Sequence, residues 1–463
     1  MNLDTIDRVF FVGIGGIGMS ALARFFHHVG KDVAGYDRTS TRLTSLLEKE
    51  GMQVHYADDL ELVPLQYRDE QVKDSTLIIY TPAIPDKHSE LNYFREKEFN
   101  LYKRAQVLGL ITKTYKGIAV AGSHGKSTLS AMVATILHET AQGCSAFLGA
   151  ISKNFDSNLL LANASDWAVM EADEFDRSFL QLEPHIALVT SMDPDHLDVY
   201  GAKDELKQSF VEFLGKVHSN SKVVIKHGLD LLPPKELNLK VFTYGFDEAA
   251  NYYPINILPD KLGYTFDLIY PDGRIDGLKT IVPGWINVEN AVGAAALSLM
   301  AGASEHELRK GIANFAGVKR RFDVRYDSDN KLYIDDYAHH PMEIRALLTS
   351  IRKLFPNEKI LGVFQPHLFT RTRDFAEDFG EELSKLDQLV LLDIYPAREE
   401  PIAGVSSELI LDAVSGIPKQ LSSREDLVSC IRDAEWDVLL TIGAGDIDLF
   451  VGEIETMLNE VGS

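Results

Sequence analysis

An α/β fold built on parallel sheets is expected for this 463-residue chain, from three observations. Strand-like apolar runs alternate with amphipathic helical stretches along most of its length. Two strand–helix junctions carry glycine-rich loops, Gly13-Ile14-Gly15-Gly16-Ile17-Gly18 and Ala121-Gly122-Ser123-His124-Gly125-Lys126-Ser127-Thr128. Polar clusters recur where strands end, the edge at which parallel sheets bind ligands. At roughly 150 residues per domain the length suggests about three domains, and the texture of the chain divides at 1–105, 106–314 and 315–463.

Composition narrows the class. Lys and Arg total 46 against 69 Asp and Glu, a formal charge of −23. That argues against nucleic acid as a partner, because a phosphate backbone is bound on a basic face. Cys144 and Cys430 are far apart and form no CxxC pair, so neither a disulfide framework nor a structural zinc site is expected. The apolar stretch Val9–Phe26 is broken by four glycines and lacks the basic n-region and cleavage site of a signal peptide. No apolar run reaches the roughly 20 residues of a membrane span. A cytoplasmic protein without a membrane span is expected, as a monomer or a homodimer.

The first block opens with a strand over Val9–Val12, the glycine loop, and a helix over Ile17–Val29; strands over Asp32–Tyr36 and Thr76–Tyr80 follow, the latter ending in the turn Thr81–Pro85. Glycines let the backbone approach a pyrophosphate, the helix N-terminus offers N–H donors, and Asp37 at the end of the second strand is placed for ribose hydroxyls. Nucleotide binding is expected, and NAD and a UDP-sugar both satisfy the pattern.

The second block starts with a strand over Gly117–Ala121, the second loop, and a helix to about His138. The loop ends as a P-loop does, with glycine, a lysine for β/γ-phosphates and a hydroxyl for Mg²⁺, but Val120 stands where the leading glycine belongs. It is a shortened phosphate loop rather than that of an ordinary P-loop ATPase. Strands over Trp167–Met170 and Ile186–Thr190 lead to Glu171 and His196, so that Ser127, Glu171 and His196 are expected to gather around Mg²⁺ at one sheet edge. The short runs between Lys222 and Pro283 read as an antiparallel β appendage, followed by a helix over Val288–Met300. In the third block, strands over Leu332–Asp336, Ile360–Gln365, Leu389–Tyr395 and Val438–Ile442 alternate with helices. Histidines and arginines cluster at two strand ends, DDYAHHP and QPHLFTRTRD, preceded by the basic triplet Lys319-Arg320-Arg321.

Taken together, FVGIGGIGMS, AGSHGKST, EADE, DPDHLD, PGWINVENA, FAGVKRRFD, DDYAHHPMEI and FQPHLFTRTRD resemble the Mur ligases over the whole chain. The shortened loop marks the wider family, and the last two segments point to its L-alanine-adding branch. The resemblance implies three domains: a Rossmann-like N-terminal domain for a UDP-sugar, a central P-loop-type ATPase domain with a parallel sheet plus a small antiparallel β region, and a Rossmann-like C-terminal domain for the amino acid. It implies a ligase in peptidoglycan synthesis joining L-alanine to the lactyl carboxylate of UDP-N-acetylmuramate through an acyl phosphate, with ATP giving ADP and phosphate.

Carried onto this sequence, the resemblance assigns Gly15, Gly16, Ile17, Gly18, Met19, Ser20, Asp37, Thr81 and His124 to the UDP-sugar. Gly122, Ser123, Gly125, Lys126, Ser127, Thr128, Asn287, Asn290, Arg321 and Asp336 fall to ATP. Ser127 and Glu171 would hold one Mg²⁺ and His196 a second, while Tyr337, His339, His367 and Arg371 would surround the amino acid. Lys126, His196, His339 and Arg371 are the expected catalytic groups, with either histidine a candidate base. Three departures stand out: the loop reads GSHGKS rather than GTHGKT, Ile286 replaces a histidine before the adenine asparagines, and Leu368 replaces an arginine after Pro366-His367. The first keeps both hydroxyls; the second removes an adenine contact; the third shifts the amino-acid contacts onto His367 and Arg371.

Overall fold

The computed structural model describes residues 3–82, 84–162, 165–193, 203–328, 330–397 and 399–461. They divide into two compact units, Met1–Ile281 with Ile286–Ala316, and Val282–Trp285 with Gly317–Ser463. No helix among the described residues is long and apolar enough to cross a membrane.

The first unit opens with five parallel strands, β1 (Arg8–Val12), β2 (Asp32–Tyr36), β3 (Gln53–His55), β4 (Thr76–Tyr80) and β5 (Asn100–Lys103), in the order β3-β2-β1-β4-β5. Val9, Phe10, Phe11 and Val12 are all buried, as the central strand of a sheet covered on both faces requires. The helix Ile17–His28 buries Met19, Leu22, Ala23 and Phe26, a stripe at helical spacing.

The next sheet has seven strands: β6 (Lys116–Ala121), β7 (Ser145–Ser152), β8 (Ser157–Leu160), β9 (Trp167–Ala172), β10 (Ile186–Val189), β11 (Lys222–Lys226) and β12 (Lys240–Tyr244), in the order β12-β11-β10-β6-β9-β7-β8. Only β8 runs antiparallel to its neighbour. Ala121 pairs with both Ala172 and Val189, so β6, β9 and β10 end level, and the loops after them leave from one edge. The first two sheets share one apolar core. Phe25 meets Phe147 of β7 at 5.8 Å between ring centroids, and the helix Arg104–Thr112 buries Val107, Leu108 and Ile111 in the cluster that holds Phe179, Phe210 and Phe213. That continuity explains why the two sheets form one unit.

The expected antiparallel appendage over Lys222–Pro283 is smaller than the sequence reading had it. Only β13 (Tyr253–Asp260), β14 (Gly263–Tyr270) and β15 (Gly273–Thr280) make an antiparallel sheet. The runs VVIK and VFTY are β11 and β12, parallel strands of the central sheet. The consecutive apolar triplet Val223-Val224-Ile225 is buried throughout, the mark of a two-face-covered parallel strand rather than an alternating one.

The second unit holds β16 (Asp323–Asp327), β17 (Leu332–Asp336), β18 (Ile360–Phe364), β19 (Gln388–Leu391), β20 (Lys419–Leu421) and β21 (Val438–Ile442), in the order β16-β17-β21-β18-β19-β20, parallel except for β16. Asp336 and Phe364 both pair with Ile442, which brings the polar segments after β17, β18 and β21 to one edge. The expected strand to Tyr395 stops at Leu391; Tyr395 instead makes an isolated bridge to His367.

Candidate active site

The first glycine loop is stitched to the end of β2. Gly13 and Ile14 donate their N–H groups to the Tyr36 carbonyl at 2.7 and 2.9 Å. Gly13 has φ +96°, and a Cβ there would stand 2.7 Å from Thr81 Cγ2, which sets Thr81 against the loop. Gly15 N–H donates to Asp37 Oδ2 at 2.7 Å, and Thr39 N–H donates to Oδ1 at 3.2 Å. Asp37, expected at a ribose, therefore also shapes the loop. Gly16 caps the helix without a side chain, leaving first-turn N–H groups for an anion. Ile17 is exposed, whereas Met19 and Ser20 face the core; the Ser20 hydroxyl donates to the Ile17 carbonyl and accepts from Asn158. Only the backbone of Met19 and Ser20 is available to a ligand.

The second loop is folded around close backbone approaches. Gly122 has φ +132°, and a Cβ there would fall 2.1 Å from Thr190 Oγ1 and 2.7 Å from Ser191 N. Ser123 Oγ donates to the Asp193 carbonyl, and His124 N–H donates to Ser191 Oγ, both at 2.9 Å; the exposed His124 ring lies 3.7 Å from Asp193. Lys126 Nζ donates to the Gly122 carbonyl at 2.8 Å and to Glu174 Oε2 at 2.7 Å. Burial pushes the Lys126 amine toward its neutral form, but Glu174, Asp173 and Glu171 outweigh it and hold its pKa above the ordinary lysine value. Burial raises the Glu174 carboxyl against the pull of Lys126. Glu174 was missed by sequence reasoning; the signal was the third acid of Glu171-Ala172-Asp173-Glu174.

Glu171, at the end of β9, accepts the Gly149 N–H at 3.1 Å, and Ser127 and Thr128 are half-buried in the first turn of the helix Lys126–His138. His196 lies outside the described residues. On the helix Ile286–Met300, Asn287 and Asn290 are buried and bonded to each other at 2.9 Å. Asn290 Oδ1 stands 3.2 Å from where a Cβ on Gly125 would be, so the asparagines and the phosphate loop converge. Ile286 is exposed at the start of that helix.

In the second unit, the turn after Lys319 carries two non-glycine residues with positive φ, Arg320 (62°) and Phe322 (47°). Buried carboxylates hold it. Asp323 accepts the Arg320 N–H at 3.2 Å, Asp335 lies 3.6 Å from the Arg320 guanidinium, and Asp336 accepts the N–H groups of Phe322 and Ala338 at 2.7 and 2.8 Å. Burial raises Asp335 to about 6, with Arg320 pulling it back. Asp336, expected at ATP, spends both oxygens on this backbone and is buried. What the turn presents is Arg321, 3.7 Å from Glu343 and 5.3 Å from the Tyr337 ring centre. The role of Asp335 and Arg320 in holding the turn was not legible from residue types alone.

Around Tyr337 the expected residues do come together. His339 Nδ1 is 3.0 Å from the Tyr337 carbonyl and 3.2 Å from Glu343. A carbonyl only accepts, so Nδ1 carries the proton and Nε2 the lone pair. Burial lowers the His339 pKa, Glu343 opposes it, and Arg371 lowers it further. The His339 and His367 rings are 5.8 Å apart, and His367 stacks on Tyr395 at 5.8 Å. Arg371 stands two residues into the helix Phe369–Leu383, after Leu368 with φ +73°. Its Nη1 is buried with no hydrogen-bond partner among the described residues. Arg373, by contrast, pairs with its exposed neighbour Asp374 at 2.7 Å.

Residues 8–116 match the model of the Mur ligase family catalytic domain, 120–298 the Mur ligase middle domain, and 320–445 the Mur ligase glutamate ligase domain. The chain is 46% identical over 461 residues to UDP-N-acetylmuramate–L-alanine ligase of Phocaeicola vulgatus, covering 99% of the chain and 100% of the relative. It is 46% identical over 458 residues to the enzyme of the same name from Parabacteroides distasonis, covering 99% and 98%. Among solved structures it is similar to UDP-N-acetylmuramate-alanine ligase MurC from Thermotoga maritima, with TM-score 0.83, 27% identity, and 98% and 99% of the two chains covered.

Proposed function

The chain belongs to the Mur ligase family, and from that premise we propose that it joins L-alanine to the lactyl carboxylate of UDP-N-acetylmuramate, with ATP giving ADP and phosphate, in peptidoglycan synthesis. The observation that carries the amino-acid half is the buried Nη1 of Arg371, without a hydrogen-bond partner among the described residues and beside His339. A guanidinium left short of a partner in a polar pocket suits the carboxylate of a small amino acid. UDP-N-acetylmuramate is assigned to the open helix N-terminus at Gly16–Gly18 with Asp37 and Thr81, and ATP to Gly122–Thr128 with Asn287 and Asn290. Arg321 is a further ATP residue, and Asp336 acts through the turn it holds.

The chemistry requires charge neutralisation, since two anions must meet for phosphoryl transfer. Lys126 is held charged and takes the β/γ-phosphates when they displace its contact with Glu174. Glu171 and the Ser127 hydroxyl are hard oxygen donors of the kind Mg²⁺ prefers, and would hold one ion, with His196 on a second. Bound there, magnesium would neutralise the triphosphate. The γ-phosphoryl passes to the lactyl carboxylate oxygen with ADP leaving. The neutral amine of L-alanine then attacks the acyl carbon, phosphate departs, and a base takes the amine proton. His339, neutral with Nε2 free to accept, is the better-supported base.

The test is phosphate release measured with UDP-N-acetylmuramate and a panel of L-alanine, glycine, L-serine and a tripeptide. Release must need the sugar nucleotide and an amino acid together, with L-alanine best; release without either sinks the reading.

Two consequences are measurable on the same assay. Because burial lowers the His339 pKa, the group stays neutral through neutral pH and protonates only below the ordinary histidine value of 6.5. The acid limb of kcat should therefore lie below pH 6.5, and His339→Gln should remove it together with most of the activity. Gly122→Ala should raise the KM for ATP at least about tenfold, since a left-handed non-glycine residue costs roughly 1–3 kcal/mol before the collision with Thr190 is counted. Sugar-nucleotide affinity should be unchanged.

A further inference from the structure

The helix Arg104–Thr112 follows β5 directly, and its first residue lies across the first glycine loop. A Cβ on Gly18 would stand 2.7 Å from Arg104 Nη1, 3.1 Å from Cδ and 3.2 Å from Cζ. The third glycine thus leaves room for a guanidinium at the helix N-terminus. The same guanidinium is 3.9 Å from Asp173, and the preceding Lys103 holds Asp176 at 2.8 Å. Those acids belong to a segment that starts just after Glu171 and includes Glu174, the partner of Lys126. Asp176 and Arg177 both have positive φ, 52° and 53°. Two adjacent non-glycine residues in that conformation persist only where their surroundings hold them. Here the segment is gripped by Lys103 and Arg104 on one side and Lys126 on the other.

We propose that Arg104 is a further binding residue for the diphosphate of the sugar nucleotide, and that its link to Asp173, with Lys103–Asp176, couples that site to the ATP site. The inference rests on the assignment of the first glycine loop to UDP-N-acetylmuramate and of Lys126 to ATP. A diphosphate at the helix N-terminus offers Arg104 a bidentate partner better matched than Asp173 at 3.9 Å. Taking it frees Asp173 for the ATP side. Conversely, Glu171 and the acids that follow it would share a divalent cation bound with ATP, and Asp173 would then hold Arg104 less tightly. Each ligand therefore favours the other, by the same factor in both directions.

The experiment is calorimetric titration of UDP-N-acetylmuramate into the full chain, with and without a non-hydrolysable ATP analogue and Mg²⁺. In the wild type the analogue should tighten binding by about fivefold or more. Arg104→Ala should weaken sugar-nucleotide binding at least tenfold, tighten rather than weaken binding of the analogue with Mg²⁺ alone because Arg104 no longer holds Asp173, and abolish the tightening between the two ligands. Lys103→Ala with Asp176→Ala should keep the analogue-free affinity and lose the tightening, whereas the swap Lys103→Asp with Asp176→Lys should keep it. All four side chains are partly exposed and such pairs contribute little stability, so these variants should fold. Wild-type affinity in Arg104→Ala, tightening that survives the double alanine variant, or no tightening in the wild type each overturns the inference while ligation stands. Failure of the wild type to bind UDP-N-acetylmuramate overturns both this and the functional reading.

Discussion

Lys126→Ala should abolish ATP-dependent ligation, lowering kcat by roughly 10³-fold on the scale of a lost preorganised charge donor, while UDP-N-acetylmuramate still binds. The lysine stands where the phosphate loop meets its helix, and its two contacts, the Gly122 carbonyl and Glu174, are both groups that a triphosphate can displace. The substitution has a second effect that must be separated from the first. Glu174 is 1% exposed, and removing the lysine that holds it at 2.7 Å costs about 3–5 kcal/mol if the buried carboxyl stays ionised. Its pKa is already raised by burial, and without Lys126 it rises further. A carboxyl whose folded pKa exceeds the unfolded value of 4.5 loses stability as pH climbs. The melting temperature of Lys126→Ala should therefore fall as pH rises above 4.5, whereas Lys126→Ala with Glu174→Gln should be flat there and equally inactive. Turnover near the wild-type level in a folded variant would remove Lys126 from the phosphate site.

Much of this was legible in the sequence because the chemistry sits on backbone features that residue types report. Glycines at positive φ, a lysine opening a helix, and polar residues following level strands all follow from local pattern; of Ser127, Glu171 and His196, expected at one sheet edge, the first two follow the level strands β6 and β9 and His196 lies outside the described residues. What stayed hidden were long-range partners. Nothing in the spacing of Glu174 says it will hold Lys126, since the bond crosses 48 positions. Asp37 and Asp336 looked like ligand contacts, yet both spend oxygens on backbone N–H groups that only the folded loops bring near. The strand pair β11 and β12 was misassigned because short apolar runs do not reveal whether one face or two are covered. Net charge misled less than it first suggested. The −23 describes the chain as a whole, while Arg104, Lys126, Arg321 and Arg371 stand at the sites assigned to anions.

Arg371→Ala should raise the KM for L-alanine by about 10- to 100-fold, the worth of a hydrogen bond to a charged group at about 1.5–3 kcal/mol, and change the KM for ATP by less than about threefold. The asymmetry follows from where the guanidinium is short of a partner. Its buried Nη1 has none among the described residues, and the neighbouring groups are His339 and the residues that orient it. Leaving that nitrogen unpaired is a standing cost of the ligand-free protein, so truncation should not lower the ligand-free melting temperature and could raise it. The wild type, by contrast, should gain stability with L-alanine as the carboxylate satisfies the guanidinium, and the variant should lose that gain. Arg371→Lys keeps the charge without the fork and should recover part of the affinity. Leu368 in place of an arginine three positions earlier offers no guanidinium to compensate, and Arg373, two positions on, is engaged by Asp374. Equal rises in both KM values, or a large drop in ligand-free stability, would make Arg371 a structural residue and return the amino-acid site to His367 and Tyr337.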